Sequence, residues 1–423
     1  MRKFIKVKRL TKKFWIFSFI IVLSGTILVY NLIPFFQLPK PSGSNFIGTK
    51  YFTLYDSTRK DIFSNDTSKF REIYSQVWYP AKINAMDKPE KYIPEAKTYS
   101  KLFAKSQGFI WIPFILNHLD GSKTNSYLNV PILKSDRKFP IIIFSHGHKQ
   151  FYKHNTIIIE ELVSNGYIVL AITHPYDSPC TVNSNNELVI YNSPKINIKE
   201  DENITSDVDI ATIFDRTEAS DDIDELRELY KIFYEYFPED RIQENNNWLA
   251  DILYTISELE NLNTNILNDC VDLNAVGVSG FSFGGGAGGL AAMSSEKIKA
   301  GISLDCWQPG HTSESYFRCP FMFIMSEDHK GANDFFLQYS QNLVIDVSIK
   351  GTKHTNFSDM AIISGKLGKL IGHTGNINNR YGLSIIKKSV VQFFNQHLKG
   401  DNSKSLFEIL DQYPEIDYKT NRK

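Results

Sequence analysis

A serine between two glycines is the residue of this chain best suited to nucleophilic chemistry. Ser282 lies in a Gly-x-Ser-x-Gly pattern, between Gly280 and Gly284. A short apolar run at residues 274–278 precedes the motif, and a stretch rich in glycine and alanine follows it. Glycines on both sides allow a strained strand-to-helix turn that exposes the serine hydroxyl. The pattern predicts a catalytic nucleophile at Ser282, and the alternative is a flexible loop of glycine and serine.

A serine hydroxyl is a weak nucleophile without a base, and hydrolases with this motif carry the histidine downstream, after the acid. His354 follows the apolar run 343–349, so a loop at the carboxyl edge of a parallel sheet would bring it to the serine. His311 and His329 lie in predicted loops and are weaker alternatives, and His397 lies in a predicted terminal helix. We therefore expect His354 to be the base.

Two aspartates are candidates for the acid that orients this histidine. Asp305 ends one predicted strand, and Asp328 follows the next. Both would lie at the carboxyl edge of the sheet, where a carboxylate can hold the imidazole in one tautomer. Spacing alone leaves both open.

Backbone N–H groups should stabilise the oxyanion that forms when the serine attacks. One donor is expected at the residue after the serine, Phe283, and the other in the loop after the first buried parallel strand. In that loop Gly147 permits close approach of the backbone, and His148 is the predicted donor. His146 and His148 have no acidic residue nearby in the sequence, so we expect neither a metal site nor a cofactor.

Short apolar runs alternate with helical segments from about residue 50 onward. This rhythm predicts an α/β fold with a mainly parallel sheet and helices on both faces. Residues 51–56 and 71–79 alternate in polarity and predict an antiparallel pair at a sheet edge. We expect a catalytic domain over 50–400 with an acidic insertion or cap at 181–245, and a C-terminal tail over 401–423.

The first 49 residues differ from the rest of the chain. Residues 1–13 carry seven basic side chains and no acid, and residues 14–36 carry no charge. The uncharged stretch is long enough to span a bilayer, and the basic segment should stay cytoplasmic. We expect a membrane anchor at 14–36, a linker at 37–49, and an extracytoplasmic catalytic domain. Secretion after signal-peptide cleavage is the alternative.

Charge and cysteine content exclude two classes of protein. Lysine plus arginine and aspartate plus glutamate both total 47, without the basic surplus of a nucleic-acid binder. The four cysteines are too few for a disulfide scaffold in 423 residues, and either pairing or isolated thiols fit the sequence.

The chain resembles the platelet-activating-factor acetylhydrolases, the group VII phospholipase A2 type, and their bacterial relatives. The resemblance covers about residues 50–400 and rests on segments 77–80, 144–147, 162–175, 280–285, 303–307 and 353–359. It implies an α/β-hydrolase fold and selects Asp305 as the acid beside Ser282 and His354, with Phe283 and His148 as oxyanion donors. Phe281 and His148 depart from the family pattern, which commonly has a polar and an apolar residue at these positions.

The resemblance also implies a substrate and a lipid contact. The substrate would be a phospholipid with a short or oxidised sn-2 acyl chain. Trp111 and Phe114, in the apolar segment 109–119, would touch lipid, unless this segment is a cap buried over the acyl pocket. A general carboxylesterase or lipase, an acyltransferase or peptidase on the same scaffold, and a non-catalytic binding module are the alternatives.

Overall fold

The computed structural model describes residues 12–25, 37–61, 64, 66–106, 116–185, 187–190, 210–220, 222–235, 239–309 and 316–421. Trp111 and Phe114, the predicted lipid contacts, lie outside the described residues, and so does His311.

Strands and helices alternate along most of the described chain. The strands are β1 (Phe46–Lys60), β2 (Phe70–Ala81), β3 (Pro89–Lys91), β4 (Lys123–Leu128), β5 (Phe139–Ser145), β6 (Ile168–Ile172), β7 (Cys180–Val182), β8 (Leu188–Ile190), β9 (Val271–Phe281), β10 (Ile298–Leu304), β11 (Phe321–Ser326), β12 (Val344–Ile349) and β13 (Ile416–Thr420). The helices are α1 (residues 12–25), α2 (Ala96–Ser106), α3 (Thr156–Ser164), α4 (Ile210–Ala219), α5 (Ile223–Glu235), α6 (Glu239–Ser257), α7 (Leu259–Asn265), α8 (Phe283–Ser294), α9 (Asp334–Tyr339), α10 (Met360–Ile363), α11 (Gly365–Leu370), α12 (Asn379–Leu398) and α13 (Leu406–Leu410). Short 3₁₀ helices cover Asn117–Gly121, Tyr152–Asn155, Glu327–His329 and His354–Phe357.

Within the described residues, the central sheet has 11 strands in the order β13-β12-β11-β10-β9-β5-β6-β2-β1-β4-β3. Neighbouring strands from β6 to β12 in this order run parallel. Their carboxyl ends therefore meet at one edge, where the loops that follow them can bring polar side chains together. The predicted mainly parallel α/β sheet is confirmed.

Strand β5 illustrates why the parallel strands read as unbroken apolar runs. Ile142 and Phe144 pack into one hydrophobic core, and Ile141 and Ile143 pack into a second core on the other face. Helices α3 and α12 cover the first core, and α6, α8 and α9 cover the second. Both faces of the strand are buried, so polar and apolar residues do not alternate along it.

Three expected boundaries differ from the observed elements. The antiparallel pair of β1 and β2 forms, but β2 also pairs with β6 and β1 with β4, so the pair lies inside the sheet. Residues 401–423, expected as a tail, contain α13 and β13, and β13 pairs antiparallel with β12. Strand β1 already begins at Phe46, within the expected linker. Alternating polarity indicates that a segment is a strand, but it does not indicate which other strands pair with its two edges.

At the N-terminus, residues 12–25 form a helix with exposed apolar side chains, among them Phe14, Trp15 and Phe17. Within the described residues, no helix has both the length and the apolar character needed to cross a membrane. The second half of the expected anchor, residues 26–36, lies outside the described residues. All four cysteines are free thiols.

Candidate active site

Ser282 lies in a sharp turn between β9 and α8. Its backbone has φ 53° and ψ −133°, a strained conformation for a residue with a side chain. A Cβ atom on Gly280 would collide with the backbone of Gly284, and one on Gly284 would collide with the carbonyl oxygens of Ser145 and His146. Both glycines are therefore needed for this turn, which accounts for the Gly-x-Ser-x-Gly pattern.

Hydrogen bonds connect the three residues that the resemblance selected. His354 Nε2 lies 3.0 Å from Ser282 Oγ, and His354 Nδ1 lies 2.6 Å from Asp305 Oδ2. Asp305 is fully buried at the carboxyl end of β10, whereas the His354 side chain is 40% exposed. The ring of Phe281 stacks on the imidazole, with 4.8 Å between centroids. Asp305 holds one nitrogen of the ring and Ser282 faces the other, the geometry that proton transfer from the serine requires.

The second oxygen of Asp305 has partners of its own. Asp305 Oδ1 accepts a hydrogen bond of 2.6 Å from the Ser326 N–H, and His329 Nδ1 lies 3.1 Å from the same oxygen. Burial alone would raise the pKa of Asp305, but hydrogen bonds from His329 and His354 outweigh it and hold that pKa well below its usual range. Burial lowers the pKa of His329, yet the hydrogen bond to Asp305 and the charge of that carboxylate raise it overall. Asp305 is thus an ionised carboxylate shared by two histidines.

The loop that carries His354 is fastened to the start of α3. The Asp359 carboxylate accepts hydrogen bonds from the N–H groups of Thr156 and Ile157, at 2.9 and 3.1 Å, and from the Tyr92 hydroxyl at 3.0 Å. The Asn155 side chain donates to the Phe357 carbonyl oxygen at 2.9 Å. Asp359 satisfies helix N–H groups that have no partner within the helix, and in doing so it holds the histidine loop in place.

The two predicted oxyanion donors belong to backbone segments that lie close to the serine. Phe283 is the first residue of α8, so its N–H has no acceptor within the helix. A Cβ atom on Gly147 would lie 3.3 Å from Ser282 Cβ, so the backbone before His148 passes close to the serine. Within the described residues, the His148 N–H has no protein acceptor. The arrangement leaves both N–H groups available to a developing oxyanion.

The acidic insertion contributes a charged cluster beside this loop. Arg241 Nη1 lies 2.7 Å from His148 Nε2 and 2.9 Å from Glu244 Oε2. Burial lowers the pKa of His148 although Glu244 opposes the shift, and the neutral imidazole accepts a hydrogen bond from the Arg241 guanidinium. His148, Asp177 and Glu244 also have the spacing of a metal-ligand group, as do Asp305, His329 and His354. In the first group the positive charge of Arg241 lies against His148 and Glu244, where a metal ion would bind. In the second group the atoms that could bind a metal form hydrogen bonds with one another and with Ser282.

The other candidates from the sequence lie elsewhere. Asp328 is exposed in the turn after β11, and the structure gives it no hydrogen bond to His354. His397 lies in α12 and packs against Phe393. The structure therefore brings Ser282, His354 and Asp305 together and leaves these alternatives outside the cluster.

The chain is similar to known proteins over most of its length. Residues 34–412 match the family model described as platelet-activating factor acetylhydrolase, isoform II. The chain belongs to this family. It is 25% identical to platelet-activating factor acetylhydrolase of Cavia porcellus over 81% of this chain and 76% of the relative. It is 24% identical to the same enzyme of Bos taurus over 86% of this chain and 77% of the relative.

A solved structure with the same fold is ferulic acid esterase from Streptomyces cinnamoneus. It superposes with a TM-score of 0.65 at 18% identity, over 90% of this chain and 98% of that one. The fold is therefore that of the α/β-hydrolases, and family membership makes the chain a carboxylic ester hydrolase.

Sequence reasoning missed several residues that surround the candidate site. The sequence indicates His329 only as an alternative base, whereas its ring contacts the same aspartate as His354. Asp359 lies in segment 353–359, which carries part of the resemblance, and Asp251 lies in none of those segments. The roles of both could not be predicted, because the helix start and the arginine that they bind lie far away in the sequence. Phe281 departs from the family pattern, and the structure shows that its ring stacks on the imidazole of His354. The departure was the only sequence signal at this position.

Proposed function

We propose that this hydrolase cleaves acyl esters with Ser282 as nucleophile, His354 as general base and Asp305 as the acid that orients the base. The observation that carries the proposal is the unbroken hydrogen-bonded line from Ser282 Oγ to His354, 3.0 Å, and from His354 to Asp305, 2.6 Å. The strained turn at Ser282 and the two available N–H groups beside it support the same assignment.

The reaction runs in two halves. Ser282 Oγ attacks the ester carbonyl while His354 takes its proton, and the N–H groups of Phe283 and His148 stabilise the oxyanion. His354 then protonates the departing alcohol, which leaves an acyl group on Ser282. Water, deprotonated by His354, attacks the acyl-enzyme; the bond from the acyl carbon to Ser282 Oγ then breaks, His354 returns the proton to Oγ, and the carboxylic acid is released. Asp305 stays ionised throughout and stabilises the imidazolium that forms in each half.

The proposed substrate is a phospholipid with a short or oxidised acyl chain at the sn-2 position. The names of the relatives, which specify an acetylhydrolase of platelet-activating factor, support this class. The charged cluster of His148, Arg241 and Glu244 stands next to the oxyanion loop and comes partly from the insertion. We therefore expect head-group preference to depend on this cluster.

A chain-length series tests the substrate assignment. Phosphatidylcholines with acetyl, butyryl, hexanoyl and palmitoyl groups at sn-2 are compared with p-nitrophenyl esters of the same acids, using Ser282→Ala as the blank. We expect kcat/KM to be highest for the short sn-2 chains and to fall for palmitoyl. Equal rates on phospholipid and p-nitrophenyl esters at every length would instead indicate a general carboxylesterase. Transfer of the acyl group to an added alcohol in preference to water would indicate an acyltransferase.

We further propose that residues 14–36 anchor the chain in the cell membrane with the catalytic part outside. Phe14, Trp15 and Phe17 in α1 are each more than 60% exposed, an apolar surface suited to lipid. Protease added to intact cells should then digest the catalytic part and spare the N-terminus. A shortened soluble form in the medium would indicate signal cleavage. We also propose that Trp111 and Phe114 contact the lipid of the same membrane.

A further inference from the structure

A second serine–histidine–aspartate arrangement lies under the oxyanion loop. His174 Nε2 is 2.7 Å from Ser145 Oγ, and His174 Nδ1 is 2.9 Å from Asp251 Oδ2. All three residues are completely buried, so no substrate reaches them. Ser145 is the last residue of β5, immediately before the loop that carries His148.

We propose that this buried network, acting through His146, positions the His148 N–H as an oxyanion donor. The proposal rests on the esterase function proposed above and adds His146, His174 and Asp251 as positioning residues for that reaction.

The first step is the protonation state of the network. Burial would raise the pKa of Asp251, but the charge of Arg71 and hydrogen bonds from His174 and Arg71 hold it well below its usual range. Arg71 Nη2 lies 2.7 Å from Asp251 Oδ2, and Arg59 Nη2 lies 2.8 Å from Oδ1. Burial lowers the pKa of His174 although Asp251 opposes the shift, so the ring is neutral. Because an ionised carboxylate only accepts, the proton of His174 is on Nδ1, and Nε2 accepts from the Ser145 hydroxyl.

The second step fixes His146 in the same way. The backbone N–H of His174 donates to His146 Nε2 at 3.1 Å. Since that nitrogen must accept, the proton of neutral His146 is on Nδ1, which donates to the Gly147 carbonyl oxygen at 2.8 Å. Burial lowers the pKa of His146 well below its ordinary value, which keeps the ring in this form. The ring of Trp248 lies edge-on to His146 and stacks on His174, with 3.9 Å between the centroids of Trp248 and His174.

The third step is the orientation of the His148 N–H by the peptide bond between Gly147 and His148. The Gly147 carbonyl oxygen accepts from His146 Nδ1 and also from the Gln150 N–H, at 3.1 Å. In a trans peptide the N–H of the next residue points away from that carbonyl. Two hydrogen bonds on the carbonyl side therefore hold the His148 N–H toward the opposite side. Gly147 lies close to the serine, since a Cβ atom on it would be 3.3 Å from Ser282 Cβ. The Lys149 N–H donates to the Asp177 carbonyl oxygen at 2.8 Å and fastens the far end of the loop.

Two substitutions of His146 separate positioning from packing. His146→Phe keeps a ring of similar size and removes the hydrogen bond to Gly147. In His146→Asn the amide nitrogen takes the place of Nδ1 and keeps this bond. With p-nitrophenyl butyrate and the full-length chain, we expect His146→Phe to lower kcat about 100-fold, the scale of a lost oxyanion donor. KM should change little, and His146→Asn should recover most of the lost rate.

A transition-state analogue supplies a second readout. A trifluoromethyl ketone forms an adduct with the serine whose oxyanion occupies the same hole, so its inhibition constant should rise for His146→Phe by the factor lost in kcat/KM. The control is His154→Phe, a buried histidine that contacts Tyr99 and Phe103 and whose side chain, within the described residues, forms no hydrogen bond to the loop 147–149. It should lower the melting temperature and leave kcat within about twofold, since it touches no oxyanion donor.

Several outcomes would overturn the proposal. One is a folded His146→Phe enzyme with wild-type kcat and inhibitor affinity, and another is a His146→Asn variant as slow as His146→Phe. If His146→Phe does not fold, Ser145→Ala provides the test: kcat should drop several-fold at constant KM, and an unchanged kcat would contradict the proposal. A wild-type chain that hydrolyses no ester would refute the proposed function itself. This result differs from all of those above, in which the wild-type enzyme is active.

Discussion

Two serine–histidine–aspartate arrangements lie side by side in this molecule, and only one is accessible. Ser145 ends β5, and its register partner on β9 is Gly280, two residues before Ser282. The serine–histidine distances are 2.7 Å in the buried arrangement and 3.0 Å in the accessible one. His354 is 40% exposed, whereas His174 is fully buried. Hydrogen-bond geometry alone therefore does not distinguish a nucleophile from a structural hydroxyl.

The surroundings make the distinction. Ser282 has a positive φ, as does Asp305, while Ser145 belongs to a regular strand. Asp251 forms ion pairs with Arg59 and Arg71, whereas the partners of Asp305 are two histidines and a backbone N–H. Strain, access and a site for the oxyanion favour catalysis at Ser282, and ion pairing with burial favours a structural role at Ser145.

The largest expected effect separates the two serines. Ser282→Ala should lower kcat by about 10⁴- to 10⁶-fold, because the acyl-enzyme cannot form. Ser145→Ala should lower it by no more than about tenfold, because the oxyanion loop loses only one support. Steady-state kinetics on p-nitrophenyl butyrate measures both, and similar losses in the two variants would show that the comparison is wrong.

The two candidate acids should differ next. Asp305→Asn should lower kcat about 10⁴-fold, since the amide favours the wrong imidazole tautomer. Asp328→Asn is a matched control, because this exposed side chain is next to His329 and outside the hydrogen-bonded line. It should change kcat less than about threefold. A severe loss in Asp328→Asn with an active Asp305→Asn enzyme would move the acid to the following strand.

Asp251→Asn should mainly affect stability. It leaves the buried Arg71 guanidinium without its closest carboxylate, and loss of one partner from a buried ion pair costs about 3–5 kcal/mol of unfolding free energy. Urea unfolding measures this loss. An unfolding free energy equal to that of the wild type would contradict the structural role of the buried arrangement.

The smallest effect concerns His329 and depends on pH. Because the pKa of His329 is raised in the folded chain, its charge stabilises the fold below the unfolded pKa of about 6.5. That stabilisation is lost as pH rises through the folded pKa. His329→Gln keeps a donor and removes the charge, so its melting temperature should be lower than the wild type's in acid and approach it in alkali. A constant difference across this range would exclude a charge effect.

Much of the fold could be predicted from sequence because its signals are local. The apolar runs of β5, β6 and β9 to β12 and the glycines around Ser282 each reflect a nearby constraint on burial or turn geometry. The position of β13 at the sheet edge could not be predicted, since its pairing with β12 depends on residues far apart in the chain.

The candidate site shows the same limit. Ser282 and His354 could be nominated from their motifs, whereas choosing Asp305 over Asp328 required the family resemblance. The structure adds the distances among them. His146 and His174 lie in segments that carry the resemblance, but their network with Asp251 could not be predicted, because its hydrogen bonds join three separate segments of the chain.

Covalent labelling tests the central claim most directly. The full-length chain is treated with a fluorophosphonate, and intact-mass and peptide mass spectrometry locate the adduct. Wild type and Ser145→Ala should each gain one adduct, on Ser282, and Ser282→Ala should gain none, because only Ser282 is both accessible and activated. An adduct on Ser145, or labelling that persists in Ser282→Ala, would contradict the assignment of Ser282 as the nucleophile.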